Sequence, residues 1–94
     1  MNVEVRGAPL TEASRSRLND RLDFALGRLG EGVSRVWVHI ADQGRRCRVL
    51  VRMRSQAQLL VEGRAEGIDA LLAHTVRKAG LAVRRELARR AGQP

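Results

Sequence analysis

The fold of this chain is decided by residues 33–64, which read VSRVWVHIADQGRRCRVLVRMRSQAQLLVEGR. Apolar and polar side chains alternate along this stretch, and a period of two is typical of β-strands with one buried face. Turn-forming residues interrupt the alternation at 42–45 and again at 55–57. The stretch therefore predicts an antiparallel meander of three strands, over residues 33–41, 46–54 and 58–64.

The turns also predict the register of the meander. A two-residue loop within 42–45 pairs Ile40 with Cys47. A three-residue loop at 55–57 sets Met53 beside Leu59 and Val51 beside Val61. Both registers keep the apolar residues on one face, whereas a slip by one residue would turn them to the other face. The opposite face then receives three pairs: Trp37 with Leu50, His39 with Arg48, and Arg35 with Arg52.

A short strand and a helix precede the meander. Val3 and Val5 alternate with charged residues before a turn at 7–9, which indicates a half-buried strand. Thr11 can cap a helix over residues 12–29 that ends at Gly30 and Gly32. The apolar stripe of this helix consists of Leu18, Leu22, Leu26 and Leu29.

A second helix is predicted over residues 66–90. Its apolar residues recur at intervals of three or four: Ile68, Leu72, Val76, Ala79, Val83 and Leu87. Acidic residues begin the helix and arginines end it, as the helix dipole favours. The element order is then β-α-β-β-β-α. We expect an α+β fold of two layers, a four-stranded sheet with two helices on one face.

Length and composition limit the function classes. The chain has 94 residues and a mass of 10.4 kDa, so we expect a single domain over residues 1–94. Its apolar runs are too short for a membrane span or a signal-peptide core, which favours a cytoplasmic protein without a membrane partner. The single cysteine, Cys47, excludes an internal disulfide framework and a multi-thiolate zinc site.

The charge of the chain indicates a polyanion binder. It has 18 Lys and Arg against 10 Asp and Glu, a formal charge of +8 and a pI near 11.6. All of the cations but Lys78 are arginines, which can reflect the base composition of the coding genome or selection for bidentate phosphate contacts. A solvated basic surface without a nucleic-acid role is the alternative.

Few residues in the chain are of the kind that carries catalysis. Cys47 and His39 fall on neighbouring strands but on opposite faces, so they cannot form a thiol–imidazole pair. His74 falls on the outer side of the second helix, and two isolated histidines do not make a metal site. Gly27 and the glycines after it follow a helix instead of opening one, so no phosphate-binding loop is predicted. We expect a protein that is not an enzyme and has no cofactor, metal or small-molecule substrate.

The two helices offer two basic surfaces. The first helix carries a basic flank beside Phe24, which either stacks on a base or packs on a neighbouring element. The flank consists of Arg17, Arg21 and Arg28. On the second helix a basic row consists of Lys78, Arg85 and Arg89, with Arg77 and Arg84 on the adjacent side.

The open face of the sheet is the third basic surface. Its arginines are Arg46, Arg48, Arg52 and Arg54 along one strand, beside Arg35 and Arg64. Repeated arginine on an exposed strand can also protect a sheet against aggregation. Trp37 and Phe24 are the only aromatic residues, so a platform that stacks several bases is absent, and we expect recognition through phosphate and shape.

Several segments together resemble one known family. They are the opening run Val3-Glu4-Val5-Arg6-Gly7, the first helix closing at Arg28-Leu29-Gly30, the meander and the basic final helix. Over nearly its whole length the chain resembles the ribosome hibernation promoting factor family, which includes ribosome-associated inhibitors and the sigma-54 modulation proteins. It resembles the short form, without the C-terminal domain that pairs ribosomes in longer members.

The resemblance implies a β-α-β-β-β-α domain that occupies the decoding channel of the small ribosomal subunit, contacts its rRNA and inhibits translation under stress or in stationary phase. Carried over to this sequence, the rRNA contacts are Arg17, Arg21, Arg28, Lys78, Arg85 and Arg89, with Arg77 and Arg84 as a secondary set. Two other functions stay open, a protein-interaction module of the same fold without ribosome binding and a general double-stranded RNA binder. The sequence leaves open whether the helices or the sheet meet RNA.

Overall fold

The computed structural model describes residues 2–7, 9–27 and 32–92. Its elements are β1 (Asn2–Gly7), α1 (Glu12–Leu26), β2 (Val33–Ala41), β3 (Arg46–Met53), β4 (Gln58–Arg64) and α2 (Ile68–Ala91). The predicted order β-α-β-β-β-α is confirmed. The second helix begins two residues later than predicted because Gly67 is still extended and forms its N-cap. The predicted end of the first helix, with Leu29 and Gly30, lies outside the described residues.

The four strands form one mixed sheet in the order β1-β2-β3-β4. β1 runs parallel to β2, and the other neighbours are antiparallel. The predicted register between β2 and β3 is confirmed, including the Ile40–Cys47 and Trp37–Leu50 pairs. The loop is longer than predicted, since pairing ends at Ala41 and Arg46 and leaves residues 42–45 unpaired. Both loop lengths share one centre, so the register is unaffected.

The predicted register between β3 and β4 is wrong by two residues. Val51 lies opposite Leu59, and Val49 lies opposite Val61. The loop spans residues 53–57, and it is closed by a 2.8 Å hydrogen bond from the Met53 amide to the Ala57 carbonyl. Because side chains alternate with a period of two, an even shift keeps every side chain on its predicted face. The apolar pattern alone therefore fits both registers.

The buried side chains form one core between the sheet and the helices. From the sheet come Val36, Val38, Ile40, Cys47, Val49, Val51 and Met53. The helices contribute the predicted residues Leu18, Leu22, Leu26, Leu72, Val76, Ala79 and Val83, while Ile68 and Leu87 are partly buried. Thr11 caps α1 as predicted, since its side chain accepts a 3.1 Å hydrogen bond from the Ser14 amide. The predicted α+β architecture, with two helices on one face of a four-stranded sheet, is confirmed.

Two close approaches fix the helices in place. A Cβ atom on Gly63 of β4 would overlap the side chain of Thr75 on α2. A Cβ atom on Gly80 would lie 3.3 Å from the Ala25 side chain, which shows that the two helices pack closely at these small residues. Across residues 2–7, 9–27 and 32–92, no helix is long and apolar enough to cross a membrane.

Candidate nucleic-acid interface

A groove runs between α1 and α2 on the surface that faces away from the sheet. The two helices lie side by side with their N-termini at the same end, since Arg17 of α1 contacts Asp69 of α2 and Ala25 contacts Gly80. We call this groove the helix groove. The lining residues with large or charged side chains are Asp20, Arg21, Phe24, His74, Arg77, Leu81 and Arg84.

The helix groove brings together three of the predicted site residues from both helices. Arg21, Arg77 and Arg84 line it, and none of them forms an ion pair with the described residues. The one carboxylate among the described lining residues is Asp20. Three guanidinium groups against one carboxylate give the groove a net positive charge, which suits a polyanion.

The helix groove also carries exposed apolar surface. Phe24 is 67% exposed and Leu81 is 43% exposed. Stacking of Phe24 on a base and packing of Phe24 on a neighbouring element both stay predictions. His74 lines the same groove on the outer side of α2, as predicted, and Leu81 was not anticipated.

The predicted row on the second helix is largely engaged in contacts within the protein. Lys78 donates a hydrogen bond from Nζ to the carbonyl of Glu62 on β4, an edge strand of the sheet. Arg89 forms a 2.7 Å ion pair with Glu86. Within the described ranges, Arg85 is the member of the row that has neither a hydrogen bond nor an ion pair through its side chain.

Glu86 holds two cations at the end of α2. Its Oε1 atom lies 2.7 Å from Arg89 Nη2 and 2.9 Å from Arg90 Nε. The hydrogen bond from Arg89 is the main reason that the pKa of the Glu86 carboxyl is lowered. Both arginines are therefore less available to a ligand than Arg85.

On the first helix the predicted flank is divided. Arg21 points into the helix groove, whereas Arg17 lies 3.5 Å from Asp69 at the start of α2. Both partners of that pair are about half exposed, so solvent screens it and a phosphate can compete for the arginine. The third member, Arg28, lies outside the described residues.

The open face of the sheet, on the layer opposite the helix groove, carries the third basic surface. Its arginines are Arg6, Arg35, Arg46, Arg48, Arg52 and Arg64, and its glutamates are Glu4 and Glu62. Glu4 forms ion pairs with Arg6 at 2.7 Å and with Arg35 at 3.5 Å, and Glu62 forms an ion pair with Arg48 at 2.7 Å. Arg54 is not on this face as a strand residue, because β3 ends at Met53 and Arg54 lies in the following turn.

The open face has an apolar band between its arginines. Trp37, Leu50 and Leu60 lie directly opposite one another on three successive strands. The guanidinium carbons of Arg35 and Arg52 lie 4.9 and 5.3 Å from the centre of the Trp37 ring. These are cation–π distances. The alternation along the strands predicted Trp37 and the arginines on this face, but the apolar band and the two glutamates were not predicted.

Cys47 and His39, the two side chains on the sheet with catalytic chemistry, lie on its opposite faces. Cys47 is 1% exposed in the core, whereas His39 is exposed on the open face, as predicted. Burial raises the pKa of the Cys47 thiol to about 11, so the nucleophilic thiolate is disfavoured. In the part of the chain that the structure describes, no group of three or more His, Cys, Asp or Glu side chains is placed to hold a metal ion.

Comparison with known proteins identifies the fold. No protein-family model matches the chain, and no curated protein sequence matches it. A ribosomal subunit interface protein from Coxiella burnetii is 11% identical, with a TM-score of 0.82 over 94% of this chain and 99% of that chain. The N-terminal domain of protein Y from Thermus thermophilus is 17% identical, with a TM-score of 0.64 over 89% and 93%. The fold that the sequence resemblance implied is thus confirmed.

Proposed function

We propose that this chain is a cytoplasmic, non-enzymatic ribosome hibernation factor that binds the small ribosomal subunit in its decoding channel and inhibits translation. The observation that carries the proposal is that Arg21, Arg77 and Arg84, from two helices, line one groove and form no ion pair with the described residues. The fold that the chain shares with a ribosomal subunit interface protein supports the same role. Occupying a site needs binding alone, so no reaction is required.

Arginine in the helix groove suits the folded phosphate backbone of rRNA. A guanidinium group donates paired hydrogen bonds to a phosphate and keeps its charge at any cellular pH. Phosphate contacts position a protein without reading base sequence. We assign Arg21, Arg77 and Arg84 to the centre of the rRNA contact, with Phe24 placed to stack on an unpaired base.

The remaining predicted cations flank this centre. Arg85 offers a guanidinium group without a partner among the described residues, and Arg17 can exchange its half-exposed carboxylate partner for a phosphate, whereas Arg89 is held by the mostly buried carboxylate of Glu86. Lys78 and Arg28 complete the proposed RNA-binding set. Since half-exposed ion pairs contribute only about 0 to 1 kcal/mol, the exchange costs little.

The proposal is tested by sedimentation with purified small and large ribosomal subunits at several salt concentrations. The protein is expected to travel with the small subunit, and the affinity is expected to fall steeply with salt. With about five phosphates neutralised, the log–log slope should be roughly 3 to 5 in magnitude. R77Q/R84Q should weaken the association, whereas R15Q/R90Q removes the same charge elsewhere and should weaken it less. A slope near zero, or travel with the large subunit alone, contradicts the proposal.

The exposed apolar surface of the helix groove favours a second candidate function, binding of another protein. Phe24 of α1 and Leu81 of α2 both line the helix groove, and both expose large apolar side chains. For a protein-interaction module, F24A/L81A should abolish partner binding while R77Q/R84Q leaves it intact. For a hibernation factor that binds rRNA, R77Q/R84Q should weaken binding more than F24A/L81A does. A general double-stranded RNA binder is distinguished by competition, because bulk duplex RNA would then displace the protein from subunits.

A further inference from the structure

The open face of the sheet places like charges directly opposite one another at two positions. Arg35 pairs with Arg52 across β2 and β3, and Arg46 pairs with Arg64 across β3 and β4. Like charges in directly opposed positions of an antiparallel pair destabilise a sheet. An arrangement that occurs twice on one face therefore needs a compensating interaction.

Protection of a sheet edge does not account for the arginines of β3. Arginine or lysine on an exposed edge strand prevents pairing with another chain. Here the edges are β1 and β4, whereas Arg46, Arg48 and Arg52 lie on β3, which has a strand on each side. An interior strand has no free edge to protect.

Contacts within the protein compensate one of the two pairs. Arg35 and Arg52 both lie over the Trp37 ring, and Arg35 also lies 3.5 Å from Glu4. The Arg46–Arg64 pair has neither a carboxylate nor an aromatic partner among the described residues. The Nε atom of Arg46 is buried from solvent without a hydrogen-bond acceptor. Buried donors are normally satisfied, and an anion bound between Arg46 and Arg64 would also offset the repulsion of the pair.

We propose that the open face is a second RNA-binding surface, which holds the backbone of a single-stranded RNA along β3 and β4 with a phosphate between Arg46 and Arg64. Alternate residues of a strand lie about 7 Å apart on one face. That spacing suits successive phosphates of an extended RNA strand. The apolar band of Trp37, Leu50 and Leu60 offers an apolar surface for bases beside the arginines.

RNA fits this face better than an acidic protein does. Six arginines share this face with two glutamates, and the apolar band among them suits the bases of RNA, which an acidic peptide lacks. Both glutamates are already engaged, with Glu62 held by Arg48 at 2.7 Å. The inference goes beyond the proposed function, because it concerns binding of single-stranded RNA without a ribosome, and because the open face lies on the layer opposite the helix groove.

The test measures binding of a fluorescent oligouridine to the whole protein at several salt concentrations. Three variants that each lose two positive charges are compared: R46Q/R64Q on the open face, R77Q/R84Q in the helix groove, and R15Q/R90Q as the control. Loss of the phosphate contact that Arg46 and Arg64 share should lower the log–log salt slope by about 0.7, since a single strand contributes about 0.7 per phosphate. The control should keep most of the wild-type slope. Circular dichroism and thermal unfolding verify that each variant is folded.

The outcomes separate this inference from the proposed function. If R46Q/R64Q loses slope and R77Q/R84Q still binds oligouridine, the open face is an RNA surface whether or not the protein binds small subunits. If R46Q/R64Q binds as the wild type does, the inference is overturned, while the sedimentation test of the helix groove stands by itself. Equal affinity for polyglutamate at the same salt also overturns it, because the face would then select charge alone. R46K/R64K keeps the two positive charges but lacks the paired donors of a guanidinium group. This variant should therefore restore most of the salt slope but not the full affinity.

Discussion

Gly63 of β4 lies directly beneath Thr75 of α2, and there is no room for a Cβ atom between the strand and the helix. The Thr75 hydroxyl is fully buried and donates a 2.7 Å hydrogen bond to the Leu71 carbonyl. This contact holds α2 close to the edge of the sheet. The position of the helix groove on the opposite side of α2 depends on it.

Replacing Gly63 by alanine should destabilise the protein. Overpacking of a tight core costs about 1 to 3 kcal/mol, which would appear as a lower urea midpoint with an unchanged m-value. Gly67→Ala is the matched control, because a Cβ atom there meets nothing within 4 Å. G63A/T75A should lose less stability than the sum of the single changes, since alanine at 75 removes the hydroxyl that obstructs the new methyl group. Additive effects would contradict the contact.

Alanine variants of Lys78 and Arg85 should distinguish a residue that stabilises the fold from one that binds RNA. Lys78 satisfies a carbonyl on the edge strand β4, so Lys78→Ala should cost about 0.5 to 1.5 kcal/mol of stability. Arg85→Ala removes an exposed side chain that has no hydrogen bond or ion pair with the described residues, and it should change stability by no more than about 0.5 kcal/mol. Chemical denaturation measures both. In subunit sedimentation Arg85→Ala should still weaken binding, and equal stability losses in the two variants would count against this division.

The sequence predicted the first register of the meander and missed the second for a definable reason. A short loop and a longer loop between β2 and β3 have the same centre, between residues 43 and 44. The Ile40–Cys47 pair therefore follows from either loop. In the second turn, Met53 leaves the ladder with β4, and the pairing shifts by two residues without moving an apolar side chain to the wrong face. Only the backbone hydrogen bonds of the loop, such as that from Met53 to Ala57, distinguish the registers.

The candidate site was predictable residue by residue but not as a group. Helical spacing placed Lys78, Arg85 and Arg89 in one row, yet two of them are held by Glu62 and Glu86. The partner of Lys78 is a backbone carbonyl, which no side-chain pattern reveals. The grouping of Arg21 with Arg77 and Arg84 depends on how α1 and α2 pack, and one helix's periodicity carries no information about the other helix.

Acid should weaken the C-terminal part of α2 through Glu86. The pKa of this carboxyl lies below its ordinary value of 4.5, mainly because Arg89 donates a hydrogen bond to it. A lowered folded-state pKa means that the unfolded chain binds the proton more readily. The stabilising effect is therefore complete above about pH 4.5 and is lost as the pH falls below it. Thermal unfolding at pH 7 and pH 3 should show a smaller difference in Glu86→Gln than in the wild type, while Glu66→Gln, at an exposed glutamate without an ion pair, should keep the wild-type difference.

Alkaline pH should act through Cys47. Burial raises the pKa of its thiol from 9.0 to about 11, so between these values the unfolded chain loses a proton that the folded chain retains. Stability from this group is fully present below pH 9 and is lost as the pH rises towards 11. Cys47→Ala should flatten the pH dependence in this window, apart from whatever lysine and arginine contribute in both proteins. A thiol-specific reagent at pH 8 should react with Cys47 only as fast as the protein opens, and rapid labelling of the folded protein would show that the thiol is accessible.

Trp37 should report directly which surface holds single-stranded RNA. It is the only tryptophan of the chain, it lies on the open face between Arg35 and Arg52, and the sheet and its core separate it from the helix groove. A base placed on the apolar band would stack near its ring and quench its emission. Oligouridine should therefore quench Trp37 in the wild type and in R77Q/R84Q, but far less in R46Q/R64Q at the same salt. Quenching that disappears in R77Q/R84Q and persists in R46Q/R64Q would assign the RNA to the helix groove, since a change in Trp37 would then arise through the core and not through contact.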